Sequence, residues 1–227
     1  MIEKDYPVVF GTEDLLRSLC DSVIKVLNVA TASRLSYSGM IQRITRTCLK
    51  PDIGCFVLFD GGFSGLVVIN FSAAAAMELY ERYMLNMGMK KKELATNFTS
   101  DDVGNVMGEL MNQIVGDFTR KVSQELQTHI TQNQPKMLAL TKQVILSVDT
   151  HLDQPQVRRV TFQTERGNIF YLEMAIDRTE FIKLNEFEAE EVDPDALLEK
   201  IRNSAKKDAV AVATVTEQEE LLKSLGM

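Results

Sequence analysis

Residues 52–71, DIGCFVLFDGGFSGLVVINF, hold two apolar runs on either side of Asp60-Gly61-Gly62. Runs this short and rich in Val, Ile and Phe favour strands, and glycines at the break permit the positive backbone angles of a tight turn. The stretch predicts a β-hairpin. Residues 72–88, SAAAAMELYERYMLNMG, follow at once as a helix, capped by Ser72 and stopped by Gly88, with MKKKE at 89–93 as a solvated connector. Upstream, Leu15, Leu16, Leu19, Val23, Ile24 and Leu27 recur at helical spacing and predict a helix from Thr12 to about Val29. Downstream, a helix is expected from Ser100 to about Thr128, and residues 158–177, RRVTFQTERGNIFYLEMAID, read as a second hairpin turning at Arg166-Gly167-Asn168. With KMLALTKQVILSVD at 136–149 ahead of the second hairpin, helix, strands, hairpin is followed by helix, strand, hairpin. This order predicts an α+β fold of two pseudo-repeated halves that share one mostly antiparallel sheet packed against long helices. Residues 1–185 are expected to form this domain. Residues 186–227 differ in composition, first acidic and then rich in Ala and Val, and are expected to form a partly helical C-terminal tail.

Composition narrows the function. The 227-residue chain is 45% hydrophobic and 25% charged, enough for a sizeable core. Its net charge of -7 argues against nucleic acid or an anionic membrane as the main partner, because both require clustered Lys and Arg. Proteins are the better candidates. Three cysteines, Cys20, Cys48 and Cys55, and two histidines, His129 and His151, lack the spacing of a metal site, so no bound metal is expected. The odd cysteine count and the opening MIEKDYPVVF, which has no long apolar run, predict a cytoplasmic protein with neither signal peptide nor membrane anchor. No phosphate-binding glycine loop or nucleophile elbow points to a small-molecule enzyme.

The helix expected from Ser100 is the informative one. At about 100° per residue, Val103, Val106, Met107, Leu110, Ile114 and Phe118 form one apolar stripe, while Asn105, Glu109, Asn112 and Gly116 form a stripe on the opposite side. The first faces the core and the second faces out. Glu109 can make a charge-assisted bond to a partner's Lys or Arg, and Asn112 has both a donor and an acceptor with which to hold a water in a fixed direction. Gly108 and Gly116 beside them would let a partner approach the helix backbone closely.

The spacing around this pair resembles that of the CheC, CheX and FliY chemotaxis phosphatases. Their helix carries Glu-x-x-Asn with a proline after 22 further residues, and here Glu109-x-x-Asn112 is followed by 22 residues and then Pro135. GELMNQIVG at 108–116 is similar to the family's catalytic helix, VLFDGGFSGLVVINFS at 57–72 to its preceding hairpin, and QPKML at 134–138 to its strand entry. The resemblance runs from about Leu15 to Asp177. It implies a bacterial two-component signalling protein that hydrolyses the phosphoaspartate of a CheY-type response regulator. On that reading Asn112 orients the attacking water and Glu109 binds the regulator's lysine. The protein needs no cofactor of its own, because the magnesium (Mg) is carried by the regulator. Asn105, Gly108 and Gly116 would complete the contact surface. Asn105 stands where the family usually has Asp or Ser, so the negative charge is lost there. Aligning RSLCDSVI at 17–24 with GELMNQIV puts Ser18 and Asp21 at the equivalent positions of the first helix. At most one site is then expected, as in CheX, along with a CheX-like homodimer formed through the sheets. In the tail, TEQEELLKSL at 216–225 is reminiscent of the short segment with which flagellar switch proteins capture phosphorylated CheY. The alternative is a non-catalytic binding or scaffold module of the same fold, a signalling adaptor or a part of the flagellar switch.

Overall fold

The computed structural model describes residues 9–50, 52–140, 144–148 and 150–182. The tail expected at 186–227, with its proposed capture segment, lies outside the described residues. In chain order the elements are β1 (Val9–Phe10), α1 (Thr12–Thr31), β2 (Ser36–Tyr37), β3 (Gln42–Ile44), β4 (Thr47–Leu49), β5 (Ile53–Gly61), β6 (Gly65–Phe71), α2 (Ala73–Asn86), α3 (Asp101–Leu126), β7 (Ile130–Gln132), β8 (Lys136–Ala139), β9 (Leu146–Val148), β10 (Pro155–Gln163), β11 (Ile169–Asp177) and β12 (Phe181–Ile182). None of the described helices is long and apolar enough to cross a membrane.

Both expected hairpins form, β5 with β6 and β10 with β11, and they join side by side through β6 and β11. Around this four-stranded centre the halves exchange edges. The strands that follow α1, β2 and β3, pair with β10; those that follow α3, β7 and β8, pair with β5. The eight-stranded sheet is therefore palindromic and antiparallel at every pairing described. Two halves sharing one sheet, as the repeated order of elements predicts, is what the register delivers.

The three described α-helices pack on one face of the sheet, where Leu19, Val23, Leu27, Met107, Leu110, Ile114 and Phe118 join Val57, Phe59, Ile69, Leu172 and Met174 in the main core. Burying each of these side chains contributes roughly 1.5–3 kcal/mol, which is why the apolar stripes fix the faces of α1 and α3. The other sheet face carries a smaller apolar cluster, Leu66, Val68, Val157 and Ala175, closed over by Leu49 of β4 and Val148 of β9. Two buried polar side chains on that face hold β4 in place. The Asn70 amide donates to the Cys48 carbonyl and its oxygen accepts from the Lys50 N–H; a carboxylate oxygen of Glu173 accepts from the Cys48 N–H. Glu173 is 0% exposed, and Arg159 at 2.7 Å balances its charge.

Helix α2 positions the loop that leads to α3. Ser72 caps it by accepting from the Ala75 N–H at 3.2 Å, and Gly88, at φ +88°, ends it. The buried Glu78 carboxylate accepts from Thr164 Oγ1, the Arg166 N–H and Asn168 Nδ2, tying the β10–β11 turn to α2. Tyr80 Oη accepts from the Ala95 N–H at 3.1 Å, which anchors the connector just before Phe98 and Ser100.

Candidate functional site on helix α3

Ser100 begins α3 by accepting from the Asp102 N–H, and Asp101 and Asp102 lie in the first turn, where the helix dipole favours negative charge. The helix then runs unbroken to Leu126 and closes on Gln127 in the left-handed region. Its two faces separate as the periodicity requires. Val103, Met107, Leu110, Ile114 and Phe118 are buried, with Val106 half-buried at the stripe's edge. Asn105, Glu109 and Asn112 are exposed on the other side, and Gly108 and Gly116 are half-buried between the faces.

Alongside this exposed face runs a cleft of about 400 Å³, bounded by Phe98, Gly104, Asn105, Gly108, Pro135 and Met137 among others. Pro135, significant in the sequence only for its spacing from Asn112, thus borders the same cleft as Asn105 and Gly108. The glycines make the cleft. A Cβ on Gly104 would meet nothing within 4 Å, and one on Gly108 only Met137 Cγ at 3.7 Å. Packing among the described residues demands neither glycine.

Two hydrogen bonds shape the polar groups. Glu109 Oε1 accepts from Gln113 Nε2 at 2.8 Å, a link between exposed side chains one turn apart. Asn112 Oδ1 accepts from Gln132 Nε2 of β7 at 3.0 Å. Gln132 is a residue that sequence reasoning missed, since twenty positions separate it from its partner. Only the register of β7 on β5, with Gln132 opposite Phe59, brings it to the helix.

The matching face of α1 carries other side chains, and the structural match differs from the sequence alignment. Phe59 and Phe162 are each the last buried residue of their strands, and they pair with Gln132 and Tyr37 respectively. The left-handed caps, Gln127 of α3 and Ala32 of α1, match with the same offset as Gln132 and Tyr37. Carried along the helices, that offset places Asp14 opposite Glu109 and Arg17 opposite Asn112, one turn away from the expected Asp21 and Ser18. Asp14 caps its own helix by accepting from the Gly11 N–H at 3.0 Å and lies 3.7 Å from Arg17. Asp21 accepts a hydrogen bond from Tyr37.

Cys20 and Cys55 are buried. Burial, reinforced for Cys20 by the Asp21 charge, pushes the thiols of Cys20 and Cys55 up to about 12, far from the thiolate a nucleophile needs. Among the described residues, no group of three or more His, Cys, Asp and Glu side chains could hold a metal ion.

Over residues 6–227 the chain matches the family described as protein of unknown function DUF3334. It belongs to that family. No curated protein matches the sequence. Among solved structures, the chemotaxis protein CheX from Desulfovibrio desulfuricans is 17% identical with a TM-score of 0.58, covering 72% of this chain and 99% of that one. A CheC-like superfamily protein from Shewanella sp. PV-4 is 19% identical, TM-score 0.58, over 72% of this chain and 97% of that one. A chain of the CheX–CheY–BeF3–Mg2+ complex from Borrelia burgdorferi is 14% identical, TM-score 0.55, over 73% and 99%. Identities this low speak to architecture alone, and the architecture is the CheC-like fold.

Proposed function

We propose that this protein is a phosphatase of the phosphoaspartate on a CheY-type response regulator, acting through Asn112 and Glu109. The observation that carries the reading is the exposure of both side chains on one unbroken helix, beside a glycine-lined cleft that includes Pro135. The likeness in fold to a CheX crystallised with CheY supports a partner of that kind. Helix α3 lies against the regulator's phosphorylation site. The Asn112 carboxamide holds a water in line with the phosphorus. The water's oxygen forms a bond to phosphorus as the bond to the aspartate oxygen breaks, and inorganic phosphate and a free carboxylate are released. Glu109 pairs with the regulator's lysine and fixes the docked geometry; Gln113, on the exposed surface, gives up its bond to Glu109 without leaving a buried group unpaired. The magnesium that neutralises the phosphoryl oxygens is the regulator's. This division suits phosphoryl transfer, in which positioning and charge neutralisation account for most of the catalysis.

The test is phosphate release from purified phosphorylated CheY-type regulators, with the intact protein, Asn112→Ala and Glu109→Ala compared. Acceleration abolished by Asn112→Ala, in a variant that keeps its fold, supports the reading; no acceleration with any regulator defeats it. A non-catalytic adaptor is the second reading. Asn105 favours it, since the carboxylate or hydroxyl usual at that position is missing, and it predicts binding to the regulator with no change in its dephosphorylation. The homodimer expected from the resemblance would form through the sheets, and Leu58 and Leu138 are exposed on the outer face. Sedimentation equilibrium tests it, a monomeric mass being the contrary outcome.

A further inference from the structure

We infer that Gln132 is a positioning residue for the Asn112 carboxamide. The inference rests on the phosphatase reading above for its catalytic consequence, but its geometry is independent of that reading. Gln132 Nε2 lies 3.0 Å from Asn112 Oδ1 and 3.5 Å from the Asn112 main-chain oxygen. The main-chain carbonyl can only accept, so the end of Gln132 that faces it is the donating NH2 group. The atom of Asn112 that receives the other N–H is therefore its oxygen. This chain of assignments fixes the orientation of Asn112: the oxygen is held on the β7 side, and Nδ2 with the remaining oxygen lone pair faces outward.

An exposed asparagine would otherwise turn freely, because the torsion about its carboxamide is broad. A water bound to such a group would have no fixed direction. Gln132 removes that freedom, and it does so at some expense to itself. Its own Oε1 is buried without a hydrogen-bond partner among the described residues. Buried orphan acceptors are rare and call for a reason. Here the reason is the placement of Nε2. A Cβ at Gly116 would come no nearer than 4.0 Å to this nitrogen, so the bond does not depend on glycine there.

The experiment compares the full-length protein with Gln132→Ala and Gln132→Glu, reading two quantities in each. The first is the NMR order parameter of the Asn112 side-chain amide, measured without any partner. The second is the steady-state kinetics with a phosphorylated CheY-type regulator. In Gln132→Ala the amide loses order, and kcat falls about three- to tenfold, the equivalent of one net hydrogen bond, while KM stays constant. In Gln132→Glu the carboxylate can only accept, so Asn112 turns round to donate to it; the amide stays ordered, yet kcat falls at least as far. Loss of order alone cannot produce that second result, nor can a role confined to folding. Unchanged Asn112 order in Gln132→Ala overturns the inference, as does an unchanged kcat in both variants of an active enzyme. If the intact protein dephosphorylates no regulator, the phosphatase reading fails, and the order parameters alone decide whether Gln132 holds Asn112.

Discussion

Helix α1 ends on Ala32 at φ 46° and leads into β2 and β3, which pair with β10; helix α3 ends on Gln127 at φ 48° and leads into β7 and β8, which pair with β5. From there back toward the start of each helix the two halves diverge. α1 begins at Thr12, so Asp14 falls in its first turn, where a carboxylate caps the open backbone N–H groups. α3 begins at Asp101, so Glu109, the residue opposite Asp14, lies more than two turns in and caps nothing. The residue before each tells the same story. Glu13 reaches across to Arg158, accepting from its Nη2 at 2.9 Å, whereas its counterpart Gly108 leaves a cleft. One half ties its polar residues into the cap and an ion pair, and the other presents Glu109 and Asn112 at the surface, each held by one glutamine. The extra N-terminal length of α3 is the physical origin of that difference.

The largest expected effect is catalytic. Asn112→Ala should cut regulator dephosphorylation by about 10²-fold, the usual cost of losing a positioning group, while Arg17→Ala at the matching place on α1 should leave the rate unchanged. Single-turnover phosphate release measures both. A comparable loss in Arg17→Ala would erase the functional distinction between the halves.

Stability should show the reverse pattern. Arg158 is 7% exposed and Glu13 accepts from both its Nε and Nη2, so Glu13→Ala leaves a nearly buried cation with the neutral oxygens of Gln156 and Val157 in place of a carboxylate. The cost should be about 1–3 kcal/mol, moderated because Glu13 itself is half-exposed. Glu109→Ala removes only an exposed bond to Gln113 and should stay within roughly 0.5 kcal/mol. Urea unfolding of the two variants gives the comparison directly.

Where the helices meet, pH offers a finer probe. Asp117 of α3 is partly buried, which alone would raise its pKa, but hydrogen bonds from Lys121, Lys25, Ser22 and Arg120 outweigh burial and hold its carboxyl well below the usual carboxylate range. A group whose folded pKa is depressed stabilises the fold fully above its unfolded value, near 3.9, and loses that contribution as pH falls toward the folded value. Asp117→Asn should therefore cost on the order of 1 kcal/mol at neutral pH, and the gap from the parent should narrow below about pH 4. A gap that does not change with pH would mean that the Lys25 bridge between α1 and α3, 2.7 Å long, adds nothing.

The sequence makes the two hairpins and three helices legible because each is specified locally, by apolar periodicity between glycine or serine boundaries. Strands β2, β3, β4 and β9 are not legible from residues 36–49 and 144–148. What fixes β4 is Asn70 and Glu173, two side chains far along the chain that take its backbone groups. The same division holds at the site. That Glu109 and Asn112 share an outward face can be read from helical spacing, and both are exposed; their role as a site comes from the resemblance. Gln132 cannot be read in this way, because its partner depends on strand register. The misplacement of Ser18 and Asp21 has an equally plain cause: sliding one amphipathic helix past another by four residues, close to a full turn, keeps apolar residues over apolar ones. Only the caps and the sheet register remove that ambiguity.

The smallest expected effect tests the cleft itself. A glycine inside a helix costs about 0.5–1 kcal/mol relative to alanine, and a Cβ at Gly108 would make an ordinary contact with Met137 Cγ at 3.7 Å. Nothing inside the described residues therefore rewards glycine at this place. Gly108→Ala should raise stability by that modest amount, the opposite of what any change at its counterpart Glu13 should do. If a partner's backbone comes down onto α3 here, the added methyl holds it off, and KM for the phosphorylated regulator should rise severalfold with kcat unchanged. A variant that is more stable and binds the regulator just as well would remove the cleft from the contact surface, leaving Asn112 and Glu109 as the whole of what distinguishes α3 from α1.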